Sequence, residues 1–297
     1  MFCGSFAALV TPMATDGTLD WAAWDRLLDF HVREGSAGIV VAGTTGESPT
    51  LSVEETEELT RRAVARVGGK IRVIAGAGTH STASTIARTR QLSRLGVDAI
   101  MLVTPYYNKP PQEGLYRHFA AAADASAAPI ILYNVPGRTS VDLLPVTVAR
   151  LARHPNIVAL KDASVSLTRV RELVASCPGS FQVLSGDDAS AIEWMALGAR
   201  GVISVTANVA PRRMSEACRA ALAGDMSSAR AIDADLQPLH RELFIEPSPI
   251  PVKWAVMRLG LMGGGIRLPL VELSAAHHET VLRAMRAAGL AGEERAA

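Results

Sequence analysis

A single lysine stands where a nucleophilic amine could operate. The chain has 26 arginines but only four lysines, at positions 70, 109, 161 and 253. Of these, Lys161 alone follows an apolar run, residues 157–160, that is typical of a buried strand. Desolvation there would disfavour the ammonium form and lower its pKa from the usual value of about 10.4. Because a neutral amine attacks ketones, this position predicts Schiff-base chemistry.

The surroundings of Lys161 admit a second interpretation. Adjacent residues on a strand point to opposite sides, so the neighbouring Asp162 would lie away from the amine. The alternative is a lysine that is paired with Asp162, or with another acid, at the edge of the fold. The position of Lys161 alone does not decide between a nucleophile and an ion pair.

Tyrosines cluster at the ends of predicted strands. Tyr106 and Tyr107 follow the fourth strand and Tyr133 the fifth, whereas Tyr116 falls on a predicted helix. A phenol with a pKa of about 10 can exchange protons with a carbinolamine, and the hydroxyl of Thr44 could complete the relay. Ordinary packing explains any one tyrosine about as well. Three of them beside a lone buried lysine favour proton transfer.

The turn after the second predicted strand, residues 43–48, is rich in glycine and threonine. It lacks the Gly-Lys-Ser/Thr ending of a phosphate-binding loop, and two aspartates after the seventh predicted strand would repel a phosphate. The amides and hydroxyls of Thr44 and Thr45, with Arg138 beyond, instead suit a carboxylate. With an amine nucleophile, these groups predict a Schiff-base enzyme that acts on an unphosphorylated 2-oxo acid.

Neither a metal nor a cofactor is expected. The seven histidines show no H-x-H or H-x-x-x-H spacing, and Cys3, Cys177 and Cys218 form no C-x-x-C pair. We expect these three cysteines to be reduced and structural.

Composition and charge exclude other classes of protein. The net charge is +1, from 30 Lys and Arg against 29 Asp and Glu, which leaves no basic surplus to bind a phosphate backbone. No apolar run approaches the roughly 18 residues of a membrane span, and residues 1–10 lack the features of a signal peptide. We expect a cytoplasmic protein that binds neither nucleic acid nor membrane.

Eight short apolar, β-branched runs recur along the chain, with amphipathic segments between them. Their nearly all-apolar character is typical of parallel strands that are buried on both faces. The runs are residues 6–10, 38–42, 72–75, 99–103, 129–132, 157–160, 181–184 and 201–205.

This order of elements predicts an α/β fold, a (β/α)8 TIM barrel over residues 1–224. A C-terminal helical region, residues 225–297, should contain helices over 225–246, 251–261 and 271–289. A doubly wound open sheet is the competing fold. Its dinucleotide-binding form requires G-x-G-x-x-G after the first strand, where this chain has Thr11-Pro12-Met13.

The strand ends of the chain resemble the dihydrodipicolinate synthase family. The resemblance extends from Phe6 to Lys253 and rests on four strings. These are Gly43-Thr44-Thr45-Gly46-Glu47, Tyr106-Tyr107-Asn108-Lys109-Pro110, Tyr133-Asn134-Val135-Pro136-Gly137-Arg138-Thr139 and Leu184-Ser185-Gly186-Asp187-Asp188-Ala189-Ser190. The resemblance implies a lyase that condenses pyruvate with L-aspartate 4-semialdehyde, at the entry to diaminopimelate and lysine biosynthesis.

The resemblance also implies a role for each matching residue. Lys161 matches the Schiff-base lysine, and Tyr133, Thr44 and Tyr107 match the proton relay, with Tyr107 supplied by a neighbouring subunit of a homotetramer, or at least a dimer. The expected substrate-binding residues are Thr45 for the pyruvate carboxylate, Arg138 at the entrance, and Gly186 and Ile203 through their backbones.

One region departs from members of the family that lysine inhibits, in which polar side chains including histidine and glutamate line an interface cleft. The corresponding residues here are Ser48, Pro49, Val53, Thr56, His80, Ser84 and Tyr106. Because no glutamate stands at position 84 to meet the ammonium group of lysine, we expect feedback inhibition to be weak or absent.

Two alternatives remain. N-acetylneuraminate lyase and related 2-oxo-acid aldolases resemble the chain in Gly43 to Glu47, in the tyrosine and in the lysine, and they share the first half of the mechanism. The arginine at position 138 and the long match favour a small acidic aldehyde as the second substrate. A noncatalytic ligand-binding barrel is the other alternative, since fold does not fix function.

Overall fold

The computed structural model describes residues 1–290, in which eight parallel strands close into one barrel. Each strand pairs with the next along the chain, and the first pairs with the eighth. In order, strands β1 to β8 are Gly4–Ala8, Gly38–Val41, Arg72–Gly76, Ala99–Val103, Ile130–Asn134, Ile157–Asp162, Gln182–Ser185 and Gly201–Ser204. The predicted TIM barrel is confirmed, and the open sheet is excluded.

Twelve α-helices are found among the described residues. In order, α1 to α12 are Trp21–Arg33, Val53–Val67, Thr82–Leu92, Gln112–Asp124, Pro136–Thr139, Pro145–Leu151, Leu167–Ser176, Ala191–Ala196, Pro211–Leu222, Met226–Glu242, Ile250–Arg258 and His278–Ala287. Helix α2 begins with a capping box, a pattern that its Ser52-x-x-Glu55 sequence permits, because the Ser52 hydroxyl accepts from the Glu55 amide while the Glu55 carboxylate accepts from the Ser52 amide.

The two faces of the sheet are both apolar, as expected for buried parallel strands. One face of each strand fills the barrel interior with a small buried cluster. Its members include Phe6, Val40, Ile74, Met101, Ile131, Tyr133, Ala159, Leu184 and Ile203. The opposite faces pack against the surrounding helices in a larger cluster. Alternation along each strand therefore decides which side chains can reach the interior.

The first strand begins two residues earlier than predicted. Gly4 and Ser5 pair with β8, although neither residue contributes to an apolar pattern. The predicted end of the strand also differs. Beyond the observed end, only the Leu9 amide still makes a backbone hydrogen bond to the next strand, to the Val40 carbonyl at 3.0 Å. Hydrogen bonding to β8, rather than apolar character, fixes where β1 starts.

The predicted C-terminal helices exist with different bounds. The helix expected from residue 271 begins only at His278, after a short 3-10 turn, Ala275–His277. The preceding segment instead packs its backbone against the loop after β1. A Cβ atom on Gly265 would lie 2.1 Å from the carbonyl oxygen of Ala14. Residues 271–274 themselves are not helical, and the Ser274 amide donates to the Glu246 carboxylate of a distant segment at 3.3 Å.

The C-terminal helices share the larger apolar cluster with the barrel, through residues such as Leu239, Val252 and Val281. The predicted boundary at residue 224 falls in the turn between α9 and α10. Of the predicted region 225–297, positions 291–297 lie outside the described residues. Within residues 1–290, no helix is both long enough and apolar enough to span a bilayer.

Candidate active site

Lys161 lies near the carboxyl end of β6, on the same face as Ala159, and therefore points into the barrel. Only 4% of it is exposed, and it forms no ion pair with any carboxylate in residues 1–290. Burial lowers its pKa to about 8, although the negative charge of Asp188 opposes that shift. At pH 7 about a tenth of this amine is therefore unprotonated, far more than for an ordinary lysine.

Asp162 occupies the opposite face of β6 and is fully buried. Its carboxylate accepts a hydrogen bond from Arg169 Nε at 2.8 Å and another from Asn134 Nδ2 at 3.2 Å. The carboxylate thus has partners of its own behind the barrel wall. The alternative interpretation, in which Lys161 is paired with Asp162, is wrong.

Tyr133 lies next to Lys161 on the adjacent strand, because the two residues are register partners across β5 and β6. The Lys161 nitrogen lies 4.3 Å from the centroid of the Tyr133 ring. Burial raises the pKa of the Tyr133 phenol, and a side-chain hydrogen bond from Thr44 acts in the opposite direction. The phenol therefore keeps its proton at neutral pH.

The carboxyl ends of β7 and β8 close the site on the other side of Lys161. A Cβ atom on Gly186 would lie 3.1 Å from the Lys161 Cε atom, so a larger residue there would crowd the lysine. The Gly186 amide donates to the Asp162 carbonyl at 2.7 Å. Of the Gly186 backbone groups, the carbonyl is therefore the one left for a substrate. Ile203 is fully buried in the interior cluster beside Leu184.

The turn after β2 folds back on itself. The Gly43 carbonyl accepts from the amides of Gly46 at 3.1 Å and Ser48 at 3.3 Å. Thr45 is buried and Thr44 half-buried. Among residues 1–290, the amides of Thr44 and Thr45 donate to no protein acceptor. Two adjacent free amides and two hydroxyls are a suitable set of donors for a carboxylate.

Glu47, in the same turn, forms a buried ion pair with Lys253 on α11. The sequence interpretation did not single out either residue for a role. The scarcity of lysine could have indicated Lys253, since it too lies among apolar residues. Its partner could not be found from sequence, because 206 positions separate the two residues.

Arg138 and Tyr107 are the two expected site residues that the structure leaves exposed. The Arg138 guanidinium donates to the Ser248 carbonyl at 3.0 Å, which fixes it beside the C-terminal region. Tyr107 is 90% exposed and has a left-handed backbone, with φ of 71°. The chain does not bury Tyr107 against its own Lys161.

Metal-binding side chains do not cluster in this site. In the part of the chain that the structure describes, no group of three or more His, Cys, Asp or Glu side chains is placed to hold a metal ion.

Comparison with known proteins decides the family. The sequence model described as the Dihydrodipicolinate synthetase family matches residues 1–288. The chain belongs to the dihydrodipicolinate synthetase family. The family resemblance that was expected from the strand ends is thereby confirmed.

Several relatives carry the name 4-hydroxy-tetrahydrodipicolinate synthase. The protein from Stutzerimonas stutzeri is 56% identical over 290 residues, which cover 98% of this chain and 99% of that protein. The protein from Pseudomonas aeruginosa is 54% identical, with the same coverage of both chains. The prediction of a Schiff-base-forming lyase of the dihydrodipicolinate synthetase family is confirmed by these relatives.

A solved structure gives the same result for the fold. The chloride-inhibited dihydrodipicolinate synthase of Acinetobacter baumannii, crystallised with pyruvate, superposes with a TM-score of 0.96 at 47% identity. The match covers 98% of this chain and 100% of that one. The similarity to a dihydrodipicolinate synthetase structure thus extends over the barrel and the C-terminal helices together.

Proposed function

We propose that this chain condenses pyruvate with L-aspartate 4-semialdehyde through a Schiff base on Lys161. The product is 4-hydroxy-tetrahydrodipicolinate, an intermediate of diaminopimelate and lysine biosynthesis. Family membership and the names of the relatives support this assignment.

One observation carries the chemical part of the proposal. Lys161 is buried at the mouth of the barrel without a carboxylate partner among residues 1–290, and its pKa is lowered to about 8. A lysine in that state is a nucleophile, whereas an ordinary surface lysine is almost entirely protonated at neutral pH.

The first half of the reaction activates pyruvate. The Lys161 nitrogen attacks the ketone carbon, and the carbinolamine then loses water to give a cationic iminium. That iminium withdraws electrons, so a proton is lost from the methyl carbon and an enamine forms. These reaction steps need no bound metal, because the iminium nitrogen itself accepts the electron pair.

The second half joins the two substrates. The enamine carbon attacks the aldehyde carbon of the semialdehyde, and the new alkoxide takes up a proton. The amino group of the added substrate then attacks the iminium carbon, which closes the ring and releases Lys161 as the free amine. The released lysine is ready for another pyruvate.

Proton transfers in both halves are assigned to Tyr133, Thr44 and Tyr107. The position of Tyr133 beside the Lys161 nitrogen supports its role, because it can donate to the departing hydroxyl of the carbinolamine and accept a proton again. The Thr44 side chain lowers the pKa of the Tyr133 phenol, against the effect of burial, and this influence supports a relay through the threonine hydroxyl.

The substrate carboxylates are assigned to the other site residues. Thr45, with the free amides of its turn, would hold the pyruvate carboxylate, and Gly186 and Ile203 would contact pyruvate through their backbones. Arg138, held by the Ser248 carbonyl, would receive the carboxylate of the semialdehyde at the entrance.

The active unit is proposed to be a homotetramer, or at least a dimer. The exposure of Tyr107 supports this, because a neighbouring subunit could bury this side chain at its own Lys161. We further propose residues 1–224 as the catalytic barrel, residues 225–297 as a helical region, and a cytoplasmic location.

The decisive experiment supplies pyruvate together with L-aspartate 4-semialdehyde and N-acetylmannosamine, and identifies the product by mass spectrometry. Exclusive use of the semialdehyde, abolished by Lys161→Ala, would support the proposal. A sugar-acid product would instead identify an N-acetylneuraminate lyase. The absence of both products, without a borohydride-trapped pyruvate adduct, would identify a noncatalytic barrel.

A further inference from the structure

The turn that carries Thr44 and Thr45 ends in a strained residue. Glu47 has a left-handed backbone, with φ of 58°, although it is not a glycine. A conformation of this kind costs on the order of 1 kcal/mol or more and persists only where the surroundings hold it. Only 2% of Glu47 is exposed, so the surroundings are those of the protein interior.

Two groups from the C-terminal region hold the Glu47 carboxylate. One oxygen pairs with the Lys253 ammonium, and the other accepts from the backbone amide of Arg267 at 3.1 Å. Only 3% of Lys253 is exposed. Burial lowers the pKa of Lys253, and the neighbouring Glu47 carboxylate opposes that shift. The two contacts therefore fix the direction in which the Glu47 carboxylate points, and the Lys253 ammonium balances its charge.

Arg267 extends this connection to the residues that follow the turn. Its guanidinium binds both oxygens of the Glu55 carboxylate, at 2.5 and 2.7 Å. It also donates to the carbonyls of Thr50 at 2.7 Å and Gly17 at 2.9 Å. The C-terminal region thus contacts the segment between β2 and α2 at Glu47 and Thr50, and the first turn of α2 at Glu55.

A buried ion pair adds little to the stability of a fold. The desolvation of both charges offsets most of their attraction, so two apolar side chains of similar volume would stabilise the fold about as well. A charged pair differs from an apolar pair in fixing direction. The Glu47 carboxylate can satisfy Lys253 and the Arg267 amide together in only a narrow range of orientations.

The orientation of Glu47 is transmitted directly to the donors of the turn. The Glu47 amide donates to the Thr44 carbonyl at 3.1 Å, and the Gly46 carbonyl accepts from the Thr11 hydroxyl at 2.7 Å. A rotation of Glu47 would therefore turn the peptide group that joins Thr44 to Thr45 and carries the free Thr45 amide. An amide that points away from the carboxylate makes a weaker hydrogen bond to it, so the affinity for pyruvate would fall.

We propose that Glu47 and Lys253 are positioning residues through which the C-terminal region orients the Thr44–Thr45 turn for the pyruvate carboxylate. Neither residue touches the reacting atoms. This inference rests on the proposed function, because it assumes that the turn binds pyruvate. It assigns to α11 a role in substrate affinity that the barrel alone does not supply.

The test compares Lys253→Met, Glu47→Gln and the double variant with the unchanged enzyme. For each, borohydride trapping at increasing pyruvate concentration gives the half-saturating concentration for the Lys161 adduct, and initial rates give kcat and KM. We expect each single variant to raise the half-saturating pyruvate concentration for the adduct, and the KM for pyruvate, by about tenfold or more. We expect kcat and the KM for the semialdehyde to change less than about threefold, because a carboxylate contact is retained through the reaction.

The double variant separates positioning from stability. Lys253→Met leaves an unpaired buried carboxylate, so its melting temperature should fall most. The added Glu47→Gln removes that charge, so the double variant should recover part of the melting temperature. It should not recover pyruvate affinity, since the directional contact is still missing.

Two control variants make the same kinds of change, loss of an ion pair and loss of stability, at positions away from the turn. Glu193→Gln with Arg230→Met removes an ion pair between α8 and α10, whose contacts are 2.7 and 2.9 Å. Leu239→Ala removes apolar packing in α10 and lowers stability by about 2–5 kcal/mol. Both should leave the half-saturating pyruvate concentration unchanged.

The possible failures are distinguishable. If the unchanged enzyme forms an adduct but Glu47→Gln and the double variant keep normal pyruvate affinity, the positioning role is wrong and the proposed function stands. The same conclusion follows if Leu239→Ala weakens pyruvate binding as much as Glu47→Gln and the double variant do. If the unchanged enzyme forms no adduct at Lys161, the proposed function and this inference are both wrong.

Discussion

The Lys161 nitrogen lies 4.3 Å from the centroid of the Tyr133 ring, and the two residues are register partners on neighbouring strands. The face of an aromatic ring attracts a cation, which favours the ammonium form, whereas burial disfavours it. Burial dominates, and the pKa falls to about 8. The pairing of two strands thus places a phenol beside an amine of lowered pKa.

The first prediction concerns the pH dependence of imine formation. Below its pKa the Lys161 amine is protonated and cannot attack, so the rate with limiting pyruvate should rise with pH through a midpoint near 8 and then level off. Samples are mixed at each pH and quenched into borohydride at one fixed pH, so that only imine formation varies. A midpoint near 10 would mean that Lys161 keeps the pKa of an ordinary lysine.

The second prediction concerns Tyr133→Phe. The ring and its packing stay, but the phenol is lost, so kcat should fall by about 100-fold or more while the KM for pyruvate changes little. Steady-state rates test this. Tyr116→Phe, on α4, is the matched control and should keep full activity. Equal rates for the two variants would remove Tyr133 from the relay.

The third prediction concerns Tyr107 and the assembly. Co-expressed Tyr107→Phe and Lys161→Ala chains should form hybrids in which one site combines an intact Lys161 with an intact Tyr107 from the other chain. Activity should therefore reappear in the hybrids, although each variant alone is impaired. If Tyr107 acts in its own chain, no hybrid site is complete and activity stays absent. Purification through two different tags isolates the hybrids.

The fourth prediction concerns feedback. Added L-lysine should not reach half-inhibition below millimolar concentration, because Ser84 and Thr56 supply no carboxylate for its ammonium group. The Thr56 hydroxyl already donates to the Ser52 carbonyl at 2.9 Å within its helix. A titration of the initial rate measures this, with L-norleucine as a control for the lysine chain without its amine. Half-inhibition in the micromolar range would contradict the expectation.

The fifth prediction concerns Asp162, behind the barrel wall. Asp162→Ala leaves the largely buried Arg169 without its buried partner and should destabilise the fold by about 3–5 kcal/mol. Asp142→Ala removes the other partner of Arg169, which is 37% exposed, and should cost about 1 kcal/mol. Melting temperatures at one fixed protein concentration compare the two. Equal shifts would show that burial of Asp162 adds nothing.

Much of the barrel could be predicted from the sequence because its signal is local. Apolar runs of strand length require burial on both faces, and alternation within β6 separates Lys161 from Asp162 without any tertiary information. The capping box at Ser52 is equally local, since its two hydrogen bonds join residues three positions apart. The limits of β1 and of α12 were less accurate, because contacts with distant segments decide them.

Family resemblance supplied roles that residue chemistry could not. Chemistry alone indicated Lys161 as an amine nucleophile and Thr44 and Thr45 as carboxylate donors. It left the second substrate open and could not have assigned Tyr107 to another subunit. The exposure of Tyr107 now supports that assignment, although only the hybrid experiment tests it.

The sequence by itself determined the fold class, singled out Lys161 as the candidate nucleophile and fixed the face of β6 on which that lysine lies, because strand periodicity and residue chemistry act over a few positions. The tertiary structure decided which charges meet. Lys253 and Glu47 pair across 206 positions, and Arg267 joins Glu55 across 212. Such pairs depend on how the C-terminal helices pack against the barrel, a global result that no local pattern encodes.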